Sequence, residues 1–422
     1  MLISTLRRLL RPHRQTIIFR MINPARYAWE LACAALGMGR LGSRPLIRVA
    51  LVSDDDAYCS EEQFRPFARY RSALRKRFSV LTCHMLVYDY LRAPKFSSSL
   101  FDVVVLKLSY RTESSEALRI VRRIYETAGR KKSFVYFDGD DDMCIQWPGV
   151  LPYVNAYVKK HIFRDRNAYL CRYAGKSNLH DYVHREFGHN FRTRDYGNDN
   201  DKKILILETP PVSPEHLSKI QLGFNIALDS LVMKLYDQQS GQPCDKANDD
   251  KANDIVFRGS APKEAWLYHL RKQIGPVLSQ LSRSYRVITP EGRVSPEEYY
   301  REMSSSKICV SPFGYGEICW RDFEAVLCRC LLIKPDMSHV ETEPNIFVPY
   351  ETYVPVKWDY SDLAETCDYY LRNDREREKI VANAWEVLDK FYREKQFLQK
   401  VPILLGLNSS PVSCKDGPVI SA

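Results

Sequence analysis

Apolar residues fall in two rhythms along this chain. Short, nearly unbroken apolar runs at Ile47 to Val52 (IRVALV), Val80 to Val87, Asp102 to Leu108 (DVVVLKL) and Ser133 to Phe137 (SFVYF) read as strands. Runs of this kind suit a parallel sheet buried on both faces. Between them, Phe64 to Phe78 and Ser115 to Ala128 repeat apolar residues at helical spacing. The first of these helices carries Arg65, Arg69, Arg71, Arg75 and Arg77, the composition of a solvated face. The alternation resumes with strands expected at Lys203 to Leu207, Ile255 to Phe257, Tyr285 to Ile288, Lys307 to Ser311 and Leu331 to Ile333, and a helix at Ser218 to Leu235. Ser295, Pro296 and Glu298 form a helix start, with serine as N-cap, proline in the first turn and glutamate closing the capping box. Phe347 to Pro349 and Thr352 to Val356 read as edge strands, Ser361 to Leu371 and Asp374 to Tyr392 as helices. Alternating strands and helices predict an α/β protein with parallel sheets.

The densest chemistry lies between Lys307 and Pro335, read as strand, glycine loop, helix, strand. Pro312, Gly314 and Gly316 interrupt regular structure and permit close approach of a ligand to the backbone. Glu317 and Glu324 are seven residues apart, about two helical turns, and share one face. Upstream, Ile255 to Ser260 reads as a strand entering a turn at Arg258-Gly259-Ser260. A guanidinium fork there matches phosphate oxygens, and a following helix N-terminus favours the same anion. The alternative is a structural ion pair for Arg258 and, for Glu324, a surface salt bridge to Arg321.

The run Gly316-Glu317-Ile318-Cys319-Trp320-Arg321-Asp322-Phe323-Glu324-Ala325 resembles the nucleotide-sugar segment of GT-B glycosyltransferases, in particular the bacterial group 1 (family 1/4-like) type. The resemblance is strongest over residues 255–390 and weaker over 133–170. The glutamates stand one residue closer than the family spacing, and Arg329 replaces the small residue usual after the helix. The resemblance implies two Rossmann-like domains facing across a cleft, with a C-terminal helix crossing back. It also implies transfer of a sugar from a nucleotide-sugar to a hydroxyl of a glycan or lipid-linked acceptor, without a metal or other cofactor. Arg258, Gly259, Ser260, Gly314, Tyr315, Gly316, Arg321 and Glu324 would bind the nucleotide-sugar, Glu324 at the ribose diol and Glu317 nearer the sugar. Three other functions remain open: a GT-B epimerase, a metal-dependent Asp-x-Asp transferase, and a non-catalytic scaffold of the same fold.

The Asp-x-Asp possibility rests on Asp138-Gly139-Asp140-Asp141-Asp142, which follows a strand. Oxygen ligands there suit Mg²⁺ or Mn²⁺. Alternatively Asp138 or Asp140, like Asp54 after the first strand, can deprotonate an acceptor hydroxyl if the reaction inverts; a third reading is an acidic turn. Catalytic candidates are therefore Glu317, Asp138 and Asp140, with no metal expected. Lys159, Lys160 and Arg164 hold an anionic acceptor or line the surface; His180, His184 and His189 read as exposed.

Composition changes the picture chiefly at the N-terminus. The chain of 422 residues has a net charge of +10, and nine arginines fall between Arg7 and Arg48 against one acid, Glu30. Interleaved with Leu2, Leu6, Leu9, Ile17 and Phe19, this composition suits an amphipathic arm on an anionic membrane or an undocked arm, with no nucleic-acid module behind it. The 12 cysteines lack a C-x-x-C pair and read as reduced thiols of a cytoplasmic protein, peripheral on the inner face of a membrane. The expected domains are an arm at 1–45, an acceptor domain at 46–200, a nucleotide-sugar domain at 201–373, a crossing helix at 374–400 and a tail at 401–422. The tandem Asp245 to Asp249 and Asp250 to Asp254 reads as a surface loop.

Overall fold

The structure is a computed structural model, describing residues 40–41, 44–54, 57–92, 100–128, 132–191, 208–240, 251–259, 263, 265–289 and 292–407. Of the arm, only two short strands at 40–41 and 44–45 fall within them.

Two parallel sheets organise the chain. The first contains β1 (Ile47–Ser53), β2 (Val80–Leu86), β3 (Val103–Lys107), β4 (Ser133–Asp138), β5 (Ala156–Lys159) and β7 (Ile220–Leu222), in the order β7-β5-β4-β3-β1-β2. Every residue of β3 is buried, which explains its unbroken apolar character. The second contains β8 (Asn253–Val256), β9 (Val287–Ile288), β10 (Ser306–Val310), β11 (Leu331–Pro335) and β13 (Val354–Val356), in the order β9-β8-β10-β11-β13. The expected two-sheet α/β class is what forms.

Local readings fared unevenly. The helix expected over Phe64 to Phe78 is two, α1 (Ala57–Arg69) and α2 (Arg71–Phe78), broken at Tyr70. The helix α3 (Ser114–Ala128) forms as expected. The helix expected over Ser218 to Leu235 is replaced by β7 and then α5 (Ser230–Gln239), which follows α4 (Asn178–Phe187) in the chain. Alternation of Ile220 and Leu222, followed by Gly223, favours a strand there. Because β7 pairs with β5, residues beyond 201 still belong to the first sheet. The run 203–207 and most of the tandem lie outside the described residues. The tandem's end enters β8, where the Asp254 carboxylate accepts from Lys307 Nζ at 2.9 Å.

In the second unit α6 (Ile274–Leu281) precedes α7 (Pro296–Ser304). The Ser295 hydroxyl caps α7 by accepting from Glu298 N at 3.1 Å. α8 (Trp320–Leu327) links β10 to β11. After it Arg329 takes φ +58°, and its guanidinium lies 3.4 Å from the centre of the Trp385 ring. Stacking on that ring accommodates the bulky residue at the turn.

α9 (Leu363–Arg372), α10 (Asp374–Arg393) and α11 (Phe397–Leu404) end the described chain and return it to the first sheet. Phe397 packs 5.4 Å from Phe67 and 5.1 Å from Phe224, ring centre to ring centre. Ser133 Oγ donates to Leu405 O at 3.0 Å. Residues 401–407, expected as tail, are therefore part of the fold; Val401, Leu404 and Leu405 are buried.

The two halves are also joined strand to strand. β6 (His161–Phe163), from the first half, pairs antiparallel with β12 (Val340–Thr342), from the second. Arg164, expected to meet an acceptor or the surface, donates instead to Ser338 O at 2.8 Å and Val340 O at 3.1 Å. Arg166 reaches Glu341 at 2.7 Å.

Candidate functional site

The carboxyl ends of the first sheet carry the acidic run, and there each of three aspartates meets its own lysine. Asp138 accepts from Lys159 Nζ at 2.6 Å and from the Tyr157 hydroxyl at 2.7 Å. Asp140 accepts from Lys107 at 3.0 Å and Asp141 from Lys160 at 2.5 Å. Lys107, Lys159 and Lys160 are buried, so they neither line the surface nor await an acceptor. Burial pushes the Asp138 carboxyl up, but Lys159 and Lys107 reverse this and hold it below its ordinary value. Burial dominates at Asp140 and leaves it raised, with Lys107 opposing. Asp138 is thus a buried counter-ion of Lys159, while Asp140 is partly buried and bonded to Lys107. Each lysine takes one oxygen of its carboxylate. Asp54, the other expected base, accepts from the Ser109 backbone N–H. Asp142 differs: no lysine bond is seen, and burial pushes its carboxyl up to about 8.

The glycine loop after β10 meets this run directly. A Cβ on Gly316 would lie 1.9 Å from the Asp141 carbonyl oxygen, so glycine is required by contact between the two halves. Gly314 N–H donates to Gly316 O at 2.9 Å and is not presented to a ligand. Tyr315 stands out at the loop tip, 66% exposed, its ring 6.4 Å from Trp266. Glu317 is turned inward, 1% exposed. It accepts from Asn178 Nδ2 at 2.8 Å, with His161 at 3.6 Å and His339 at 3.8 Å. Burial raises its carboxyl, but the two imidazoles and this hydrogen bonding environment hold it well below the usual range. Glu317 therefore ties the halves together. Its partners His161 and Asn178 carried no motif signal in sequence. His180, expected at the surface, is buried against Trp266 at 4.2 Å.

At the second sheet, Asp322 fixes the start of α8 by accepting from Cys319 N at 2.9 Å, Ser311 Oγ at 2.6 Å and Lys334 Nζ at 3.1 Å. Fixing this turn positions Arg321 and Glu324. Arg258, expected to grip phosphates, forks onto Glu302, with Nε at 2.6 Å from its carboxylate. Its carbonyl instead accepts from Arg321 Nη2 at 3.2 Å, which brings the two segments together. A side chain on Gly259 would strike the Phe257 ring; Ser260 lies outside the described residues.

Arg321 Nε and Nη1 are shielded from solvent and have no acceptor among the described residues. Beside it is Arg271, which the sequence reading missed; its guanidinium donates to Phe313 O at 2.9 and 3.1 Å. Burial, then the Arg321 charge, pushes Arg271 down to about 10. Two guanidinium groups thus stand close together beside the glycine loop. Glu324, 8% exposed, accepts from the hydroxyls of Tyr299 at 2.7 Å and Tyr300 at 2.9 Å. Each carboxylate oxygen keeps a second lone pair. Arg271 lacked a signal because it sits in YHLRKQ, a stretch without a glycine turn or paired acids.

Residues 255–400 match the family described as glycosyl transferase-like. The match covers about a third of the chain, its second half only. The matched stretch holds the second parallel sheet from β8 onward, and the first sheet lies outside it. Among solved structures, a glycosyltransferase from Rickettsia africae ESF-5 is similar at 11% identity and a TM-score of 0.46, over 86% of this chain and 100% of that one. Sucrose-phosphate synthase from Thermosynechococcus elongatus is similar at 11% identity and a TM-score of 0.44, over 86% and 99%. UDP-GlcNAc 2-epimerase from Neisseria meningitidis is similar at 10% identity and a TM-score of 0.38, over 84% and 100%. At these identities none of the three lends this chain a substrate. No curated protein matches the sequence.

Proposed function

We propose that this protein transfers a sugar from a nucleoside diphosphate sugar to a hydroxyl group of a glycan or lipid-linked acceptor. The observation that carries this reading is Arg321, whose shielded Nε and Nη1 have no acceptor among the described residues, beside Arg271. Two like charges held together, one with unsatisfied donors, favour a polyvalent anion between or against them. A diphosphate supplies that charge. As the bond from sugar to diphosphate breaks, negative charge grows on the leaving group. Fixed guanidiniums in a water-poor site stabilise it without reorganising. Glu324, steadied by Tyr299 and Tyr300, is placed to accept from a ribose diol with its remaining lone pairs. With Asp54, Asp138 and Asp140 engaged elsewhere, the proposal relies on leaving-group stabilisation rather than on a carboxylate base.

The arginine-rich segment before Val49 supports an anionic membrane as the setting of the acceptor. Among the described residues no helix is long and apolar enough to cross a membrane.

A thermal-shift panel of nucleoside diphosphates and their sugars tests the reading. We expect one base to raise the melting temperature of the wild type and to do so far less for Arg321→Ala. Equal shifts in both proteins, or no shift with any nucleotide, would remove the proposal. Incubation of the active nucleotide-sugar without acceptor then separates transfer from epimerisation, which alone would convert the sugar.

A further inference from the structure

An opening that includes neither Arg271 nor Arg321 in its lining lies where the end of α10 meets α1 and α2. It is a cavity of about 610 Å³, within the range of small-ligand pockets. Its rim carries Arg69 from α1, Lys76 from α2, Arg393 from α10 and Lys395 just beyond. Acids reach two of these: Asp237 stands 3.4 Å from Arg69, and Asp389 3.1 Å from Arg393. Lys76 and Lys395 are exposed and have no ion-pair partner among the described residues. The floor is aromatic, built from Tyr70, Tyr236 and Tyr392. Tyr392 donates its hydroxyl to Ala227 O at 2.5 Å and Tyr236 to Asp389 at 2.8 Å. Those hydroxyls are engaged within the fold. What remains is cationic rim over apolar ring, which suits an anionic head on an apolar body.

The surroundings select the source of that anion. Arg75 and Arg77 are exposed in the last turn of α2, extending the basic rim outward. The chain enters the fold beside that turn, where Ile47 N donates to Ser79 O at 2.8 Å. The sequence that precedes this entry point is arginine-rich and bears leucines. A flat anionic surface matches the spread of exposed charge from the pocket rim to Arg75 and Arg77, which a small soluble anion cannot span.

We propose that this pocket seats the phosphate headgroup of an anionic lipid and sets this face of the protein on a membrane surface. The inference does not depend on sugar transfer. Its test is sedimentation of the full chain with vesicles of phosphatidylcholine containing phosphatidylglycerol, and with vesicles of phosphatidylcholine alone. Lys76→Glu with Lys395→Glu should weaken binding to the anionic vesicles by roughly 30-fold or more, as expected when two surface-facing cations are lost. Arg375→Glu with Lys379→Glu makes the same charge change on exposed residues near the start of α10 and should leave binding near wild type. Unchanged melting temperatures in both double variants confirm that the fold is intact. Equal behaviour of the two double variants would overturn the proposal, because binding would then follow net charge or the N-terminal segment alone. Equal binding to phosphatidylcholine vesicles would also overturn it. So would a melting-temperature rise with glycerol phosphate that needs Lys76 and Lys395 while vesicle binding does not, since the pocket would then serve a soluble phosphoester.

Discussion

The carboxyl ends of both sheets hold closed ion pairs, Asp322 with Lys334 and Arg258 with Glu302 at the second, but they differ in what is left unmatched beside those pairs. At the first sheet, Asp138, Asp140 and Asp141 are each matched by a lysine, and two of those lysines, Lys107 and Lys159, are almost wholly buried. At the second, among the described residues, Arg321 keeps donors without an acceptor, and Glu324 is held by neutral hydroxyls rather than by a cation. Closed ion pairs give a rigid wall; unmatched donors give a place for a ligand. The number of charged residues does not distinguish the two regions, but the matching of their partners does.

The sharpest way to break this comparison is to unmatch the closed side. Asp138→Asn leaves Lys159 buried beside a neutral amide and should cost about 3–5 kcal/mol of stability, read as a large fall in denaturant midpoint. Asp138→Leu combined with Lys159→Met should recover most of that loss, because both desolvated charges are gone. The folded double variant should also still turn over substrate. If it is stable and inactive, Asp138 takes part in the chemistry and the contrast between the sheets fails.

Next in size is the open side. Arg321→Ala should lower kcat/KM by about 10²–10³-fold, the scale for removing a donor aimed at developing negative charge. Stability should change little or rise, because shielded N–H groups without acceptors are removed. A fall in stability with unchanged turnover would make Arg321 a structural residue like Arg258.

These two experiments also mark what the sequence could and could not convey. Strand runs at Val103–Lys107 and Leu331–Pro335 were legible because burial on both faces demands continuous apolar residues. The helix cap at Ser295 was legible because its chemistry is local. The β7 strand was missed because three residues alternate too briefly to outweigh the helical residues beyond them. The lysine partners of the acidic run were invisible for another reason. Lys107 and Asp140 are brought together by neighbouring strands, so no spacing along the chain records the pair. The same holds for Arg271, and for Glu302, which takes the fork of Arg258.

Asp142 gives the comparison a pH dependence. Its folded value is about 8, raised by burial against an ordinary value of 3.8. Between those values the folded carboxyl keeps a proton that the unfolded chain releases, so this group makes stability fall as pH rises from about 4 to about 8. Asp142→Asn removes the dependence. The variant should match wild type near pH 4 and melt at a progressively higher temperature than wild type toward pH 8. Parallel melting curves for the two proteins across that window would show that Asp142 is solvated and ionised like an ordinary surface acid.

The smallest effect concerns the hydroxyls on Glu324. Tyr299→Phe and Tyr300→Phe each remove one hydrogen bond to the carboxylate, a change of about 1 kcal/mol. Burial and the Glu324 charge raise both phenols, so they stay protonated and remain donors throughout the accessible pH range. If their task is to hold Glu324 toward a ribose, each phenylalanine should raise KM for the nucleotide-sugar severalfold and leave kcat nearly unchanged. The effect should be larger for the ribonucleotide than for a 2′-deoxy analogue, which lacks one of the two hydroxyls. A loss of stability with the same KM for both nucleotides would instead mean that the tyrosines only satisfy a buried carboxylate, and Glu324 would then belong with the closed pairs of the first sheet.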